Sequence, residues 1–364
     1  MVYHPSSRRL PGRLGFAAAW AVATAAPGYG QAPEHERSPA SDHAAIVAPP
    51  VDVIFDTDIG NDIDDALALA LLHALESRGE CRLLAVTITK DHPLAAAFTD
   101  AVNRFYGRGE VPIGVVRDGK TPEQGSYLGV ALQQDGDTLR DPRALSDGGD
   151  APDAVTLLRR TLAGRPDGSV VIVQVGFSTN LARLLDTSPD EVSPLSGRDL
   201  VARKVQRLSV MAGAFAPVDG ATGYREYNVV TDLPAARMLA AEWPTPVVWS
   251  GFEVGLAMPF PGTSIEHDYR WADRHPVVEA YRRYQRMPYD RPTWDLTSVL
   301  EAVRPQRGYF TLSPPGRVIV EADGATRFEE ASDGPHRFLL ADPLQAARAV
   351  EAFVTLCSEP TRGD

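Results

Sequence analysis

Apolar residues recur along this chain in short blocks, and the lengths of those blocks set the expected elements. Val51 to Phe55 is an apolar run of strand length, and Ala66 to Leu75 is a run of Ala and Leu that includes His73 but no breaker, the pattern of a helix buried on most sides. Arg82 to Thr89 reads as a second strand, Leu94 to Tyr106 as a helix with one apolar side, and Val111 to Val116 as a third strand. That β-α-β-α-β order predicts an α/β fold: a single open, mostly parallel sheet with right-handed crossovers, flanked by helices. Further on, Ser169 to Val175, Val205 to Met211 and Thr245 to Ser250 read as strands, and Ala154 to Leu162, Leu233 to Glu242 and Asp342 to Leu356 as helices. Val318 to Glu321 and Thr326 to Glu329 form an expected hairpin around Asp323-Gly324. Between them, Gly119 to Pro152 is rich in Gly, Asp and Pro and reads as a surface excursion or an active-site loop. Ile265 to Arg286, with His267, His275, Tyr281 and Tyr284, reads as helix and as a mobile cover over a site.

The first fifty residues break the pattern. Residues 1–27 carry Arg8, Arg9 and Arg13, then the short apolar run Leu14 to Ala26 and small residues, the signature of an export signal. Residues 28–50 are rich in Ala, Pro, Ser and charge and read as a linker, which leaves 51–358 as the folded domain. The expectation is an exported protein, periplasmic or extracellular after cleavage.

Composition narrows the function classes. With 364 residues, 44% hydrophobic and 23% charged, the chain has enough apolar material for one large domain. A formal net charge of -12 argues against nucleic acid as partner, since that needs a basic face. No apolar run is long enough for a membrane span. Cys81 and Cys357 are the two cysteines, either paired after export or buried as free thiols. CxxC, HExxH, GxSxG and Walker motifs are absent, so zinc, serine-triad and P-loop chemistry has no support.

The chemistry concentrates between the first strand and helix. Asp56, Asp58, Asp62, Asp64 and Asp65 fall within ten residues, in a strand-to-helix turn at the end of a sheet where ligands bind. Carboxylates so close raise one another's pKa, and a helix N-terminus offsets only about 0.3–1 kcal/mol for each. A hard divalent cation is the simplest compensation, and Ca²⁺ takes six to eight oxygen ligands. The plain alternative is a solvated acidic loop with a capping Asp. The spacing is not that of an EF-hand.

The segment Asp56-Thr57-Asp58-Ile59-Gly60-Asn61-Asp62-Ile63-Asp64-Asp65 resembles the opening signature of the inosine-uridine-preferring nucleoside hydrolase family, of the exported bacterial type. The resemblance continues through Gly176 to Asn180, through Glu226-Tyr227-Asn228 with Asp232, and through Trp294-Asp295. It implies a Rossmann-like core and a Ca²⁺-dependent N-glycosidase on ribonucleosides or related ribosides. It implies that Asp58, Asp65, Asp295 and the carbonyl of Val175 hold the ion, with Asp58 also taking the proton from the attacking water. It places Asp62, Asp64, His92, Met211, Glu226, Asn228 and Asp295 around the substrate. Within these, Asp62 and Asp64 both remain candidates for the first of the paired acids, and His92 or Asp91 for the ribose contact after the second strand. A small-molecule riboside is the implied partner, and a homo-oligomer the implied assembly.

Three departures touch the chemistry. The spacer before Asp64-Asp65 is two residues longer than the family's common form; Asp219-Gly220 stands where an additional Asn is usual; and Trp294 replaces the His that precedes the family's last Asp. Trp has an N–H donor without a useful pKa, but its face can stack on a base, so Trp294 enters the catalytic set as a stacking surface. Two other readings compete. One is an exported riboside-binding protein without catalysis. The other is a haloacid-dehalogenase-type phosphatase, in which Asp56 would be the nucleophile and Mg²⁺ the metal.

Overall fold

The opening apolar run becomes β1 (Val51–Thr57), buried almost throughout, and the Ala/Leu run becomes α1 (Asp64–Ser77), buried from Asp64 to Leu75. A helix with no polar side must be covered all round. Here the helices Asp295–Val303 and Pro343–Cys357 pack on α1, which itself lies against the sheet. β2 (Cys81–Lys90), α2 (Pro93–Phe105) and β3 (Ile113–Lys120) follow in the expected order. The computed structural model describes residues 49–361; the expected export signal and nearly all of the expected linker lie outside the described residues.

Among the described residues the main sheet has ten strands. β3, β2, β1, Val170–Gln174, Val205–Met211, Val247–Ser250 and His336–Leu340 lie side by side and parallel. The hairpin Gly316–Val320/Thr326–Glu330 closes one edge antiparallel, so the sheet is mostly parallel. The chain goes outward from β1 to β2 and β3, then returns to put Val170–Gln174 on β1's other side. That reversal makes the carboxyl ends of β1 and Val170–Gln174 a topological switch point, where open α/β sheets bind ligands. Apolar cores fill both faces of the sheet.

Three segments add to or differ from the sequence expectation. Ahead of the expected helix Leu233–Glu242, Tyr227–Thr231 forms a further short helix, and Glu226 is its N-cap. The strand His336–Leu340 was not expected, because Arg337 and Leu340 face solvent and it is only partly apolar. Ile265 to Arg286 holds two helices, but Ile265, Val277, Val278, Ala280 and Tyr281 belong to the main core, so it is packed into the domain rather than laid loosely over it. Both cysteines are free and buried; each Sγ donates to a carbonyl of α1, Cys81 to Leu72 and Cys357 to Leu67.

Candidate active site

The switch point brings the acid loop against the turn after Val170–Gln174. Backbones approach closely there: a Cβ on Gly176 would collide with the Asp58 amide and the Thr89 hydroxyl. Val175 N–H donates to Asp56 O at 2.7 Å. The loop between β1 and α1 therefore turns over the end of the sheet with little room to move.

Asp64, Asp65 and Asp295 are buried, and each offers a carboxylate oxygen within 4.8 Å of the others. Two local bonds set this. One oxygen of Asp64 accepts the amides of Trp294 at 2.9 Å and Asp295 at 3.2 Å, capping the helix Asp295–Val303 from across the sequence. Thr57 Oγ1 donates to Asp65. Burial raises the pKa of all three well above the ordinary value, and the neighbouring carboxylates raise them further. Three hard oxygen donors in a dry cradle without enough positive charge are the donor set a divalent cation such as Ca²⁺ requires. The residues present fit such an ion.

Asp58 lies beside this trio, and its charge acts on both Asp65 and Asp295. Its own pKa is raised to about 6, by burial above all, against the pull of Asn61 and Lys90. Asp62 turns away: Arg291 grips it with Nε, at 3.0 Å, and Nη2. Of the two candidate acids, Asp64 is thus the one gathered with Asp65 and Asp295. Asp56 is sealed beneath them, its Oδ1 accepting from Thr87 at 2.5 Å and Asn180 at 2.8 Å, and burial pushes it up to about 7. With Oδ1 committed to Thr87 and Asn180 beneath the loop, Asp56 is not presented as a nucleophile, which counts against the phosphatase reading.

Past the end of the strand Val205–Met211, Glu226 Oε1 accepts from the Asn228 amide at 2.8 Å, and Oε2 from those of Val229 at 3.1 Å and Gly213 at 3.2 Å. A carboxylate offers roughly four lone-pair sites, so one is left. Burial raises Glu226 to about 7. Asn228 Nδ2 donates to the Val175 carbonyl at 2.7 Å and the Met211 carbonyl at 3.2 Å, with Met211 Sδ at 3.3 Å. The amide's oxygen is what remains for a ligand, so Asn228 can only accept. The Val175 carbonyl keeps its second lone pair. Tyr227 points outward, 52% exposed.

Trp294 and His92 are more committed than their sequence context suggested. Trp294 Nε1 donates to the Phe252 carbonyl at 2.8 Å, and its ring is stacked with Phe252 at 5.1 Å with the Arg291 guanidinium 5.2 Å from its centroid. The indole N–H is spent on packing the wall. His92 caps α2, its Nδ1 accepting from the Leu94 amide at 3.2 Å. His275 is buried among Phe105, Tyr106 and Tyr269.

Sequence reasoning missed the two cations. Arg291 carries no local motif. Lys90 had a signal: a lysine just past an apolar parallel strand, beside an acid loop, needs polar partners if it is buried.

The sequence model of the family described as inosine-uridine preferring nucleoside hydrolase matches residues 53–363. An uncharacterized protein of Schizosaccharomyces pombe is 27% identical over 193 residues, 51% of this chain and 56% of that protein. The match thus spans little more than half of that relative. A plant nucleoside hydrolase structure superposes with a TM-score of 0.60 at 20% identity, over 84% of this chain and 99% of that one. The inosine-uridine preferring nucleoside hydrolase from Bacillus anthracis gives 0.59 at 17%, over 84% and 99%. The type III effector protein XopQ, complexed with adenosine diphosphate ribose, gives 0.60 at 19%, over 86% and 92%. At such identities the structural likeness is one of fold.

Proposed function

The chain belongs to the inosine-uridine preferring nucleoside hydrolase family, and on that premise we propose that it hydrolyses the N-glycosidic bond of ribonucleosides or related ribosides, with Ca²⁺, to ribose and free base. The observation that carries this reading is the convergence of Asp64, Asp65 and Asp295 in one buried oxygen cradle at the switch point. With Asp58 and the Val175 carbonyl they would hold the ion. A bound Ca²⁺ supplies a Lewis acid that lowers the pKa of water and takes up sugar hydroxyls.

The protein's own groups divide the remaining work. Asp58 accepts a proton from the attacking water as its oxygen bonds to the ribose anomeric carbon. The bond from that carbon to the base nitrogen breaks, and its electrons leave with the base, which takes up a proton from solvent. The carboxylates stabilise the oxocarbenium-like state through their negative charge. Glu226 and Asn228 accept hydrogen bonds from ribose hydroxyls. Trp294, with its N–H committed, protonates nothing and forms a fixed wall, so bases that leave easily are favoured.

A binding protein without catalysis is the second reading, and the absence of an ionisable group at Trp294 favours it. Calcium titration separates metal site from turnover. Asp65→Ala should lower calcium affinity at least a hundredfold in calorimetry, while unchanged affinity would remove the cradle from the account. The basic, then apolar, residues 1–27 support export, and the small-molecule site supports neither nucleic acid nor membrane as partner. Among the described residues no helix is long and apolar enough to cross a membrane.

A further inference from the structure

Lys90 ends β2 and is only 1% exposed. Fully buried lysines are almost always paired, yet no carboxylate lies within ion-pair distance of this one among the described residues. Its Nζ instead donates to Asn61 Oδ1 at 2.7 Å and to the Thr121 carbonyl at 2.9 Å. Asn61 Nδ2 in turn donates to Asp58 Oδ2 at 2.8 Å and to Thr121 Oγ1 at 3.2 Å. An ammonium can only donate. Asn61 must therefore turn its oxygen to Lys90 and its NH₂ to Asp58, which commits Asp58 Oδ2 as an acceptor. Thr121 closes the group from the other side at φ 53, a left-handed conformation that a β-branched residue holds only under constraint.

We propose that Lys90 and Asn61 are positioning residues for Asp58: Lys90 fixes the orientation of the Asn61 amide, and that amide holds the Asp58 carboxylate in place as an acceptor. Neither contacts substrate. The lysine's charge also offsets part of the acid cluster. The inference rests on the reading of Asp58 as the proton acceptor.

The test combines calorimetric calcium titration with kcat and KM for a riboside the wild type hydrolyses, on full-length protein. Asn61→Ala, at a half-buried position, should keep wild-type melting and KM, lose kcat about thirtyfold, and weaken calcium binding severalfold, because the Asp58 carboxylate it holds is also among the groups that would hold the ion. Lys90→Met preserves the stem's volume; it should lose kcat at least as far yet bind calcium several-fold more tightly than Asn61→Ala does, because a positive charge has also left an anionic cluster. Lys90→Arg keeps that charge and should keep wild-type calcium affinity with a reduced kcat. Wild-type kcat in Asn61→Ala, or calcium binding in Lys90→Met weaker than in Asn61→Ala, would overturn the assignment. If the wild type hydrolysed no riboside, the functional reading would fail on its own, and the calcium affinity of Lys90→Met against Lys90→Arg would still decide the role of the lysine.

Discussion

Asp64 ties two distant parts of the chain together, since the amides it accepts belong to Trp294 and Asp295, 230 residues away and more. Its carboxylate thereby places Asp295 beside itself and Asp65, and the bare helix end and the bare carboxylates satisfy needs in each other. Asn228 shows a similar economy: its NH₂ bridges the ends of two parallel strands through the Val175 and Met211 carbonyls, which aims the amide oxygen at a ligand. If that oxygen meets a ribose hydroxyl, Asn228→Ala should reduce kcat/KM by a similar factor, about tenfold or more for a lost hydrogen bond in a dry site, whichever base is attached. Comparing purine, pyrimidine and nitrophenyl ribosides checks this, and a loss that follows the base would reassign the residue. The two cations were harder to see from sequence than the acids. Arg291 meets Asp62 only through the tertiary fold, and Lys90, one residue past the strand read from the sequence, shows its need for partners only once it is known to be buried.

At the scale of elements, the switch point is what converts a strand-turn-helix into a site. Gly176 lets the turn after Val170–Gln174 press against the acid loop. Gly176→Ala should push that loop outward, destabilising the fold by about 1–3 kcal/mol and weakening calcium binding. Chemical denaturation and calcium titration of the same variant measure both, and wild-type values in each would show the contact to be slack. The strands and helices around the site were legible because long apolar runs leave little choice of period. Tyr227–Thr231 was not, since five residues are too few to show a 3.6 period and its cap, Glu226, is fixed partly by the Gly213 amide from another strand end. The strand His336–Leu340 was hidden for a different reason. It is paired in parallel on one side by Val247–Ser250, yet Arg337 and Leu340 face water.

Over the whole molecule, burial of ionisable groups makes stability depend on pH in a definite direction. Burial lowers His73 to about 4 and His275 to about 3, against about 6.5 in an unfolded chain. Between those values the unfolded state binds more protons, so stability falls as pH drops from about 6.5 towards 4, by at most ~1.4 kcal/mol per pH unit for each histidine. The buried acids, raised rather than lowered, act with the opposite sign. Comparing the wild type with His275→Phe cancels their share: the variant should lose less melting temperature between pH 7 and pH 5, and an identical loss would mean that His275 is not held neutral. The same burial logic underlies the central claim, because a cluster of dry carboxylates at the switch point makes sense with a divalent cation among them. The most direct test is release of reducing sugar from a panel of ribonucleosides and nitrophenyl riboside by wild-type protein, with calcium and after chelation. Ribose release is expected with calcium, with its loss on chelation and its return when calcium is restored. Calcium-loaded protein that releases no sugar from any member of the panel, or release that chelation leaves untouched, would contradict it.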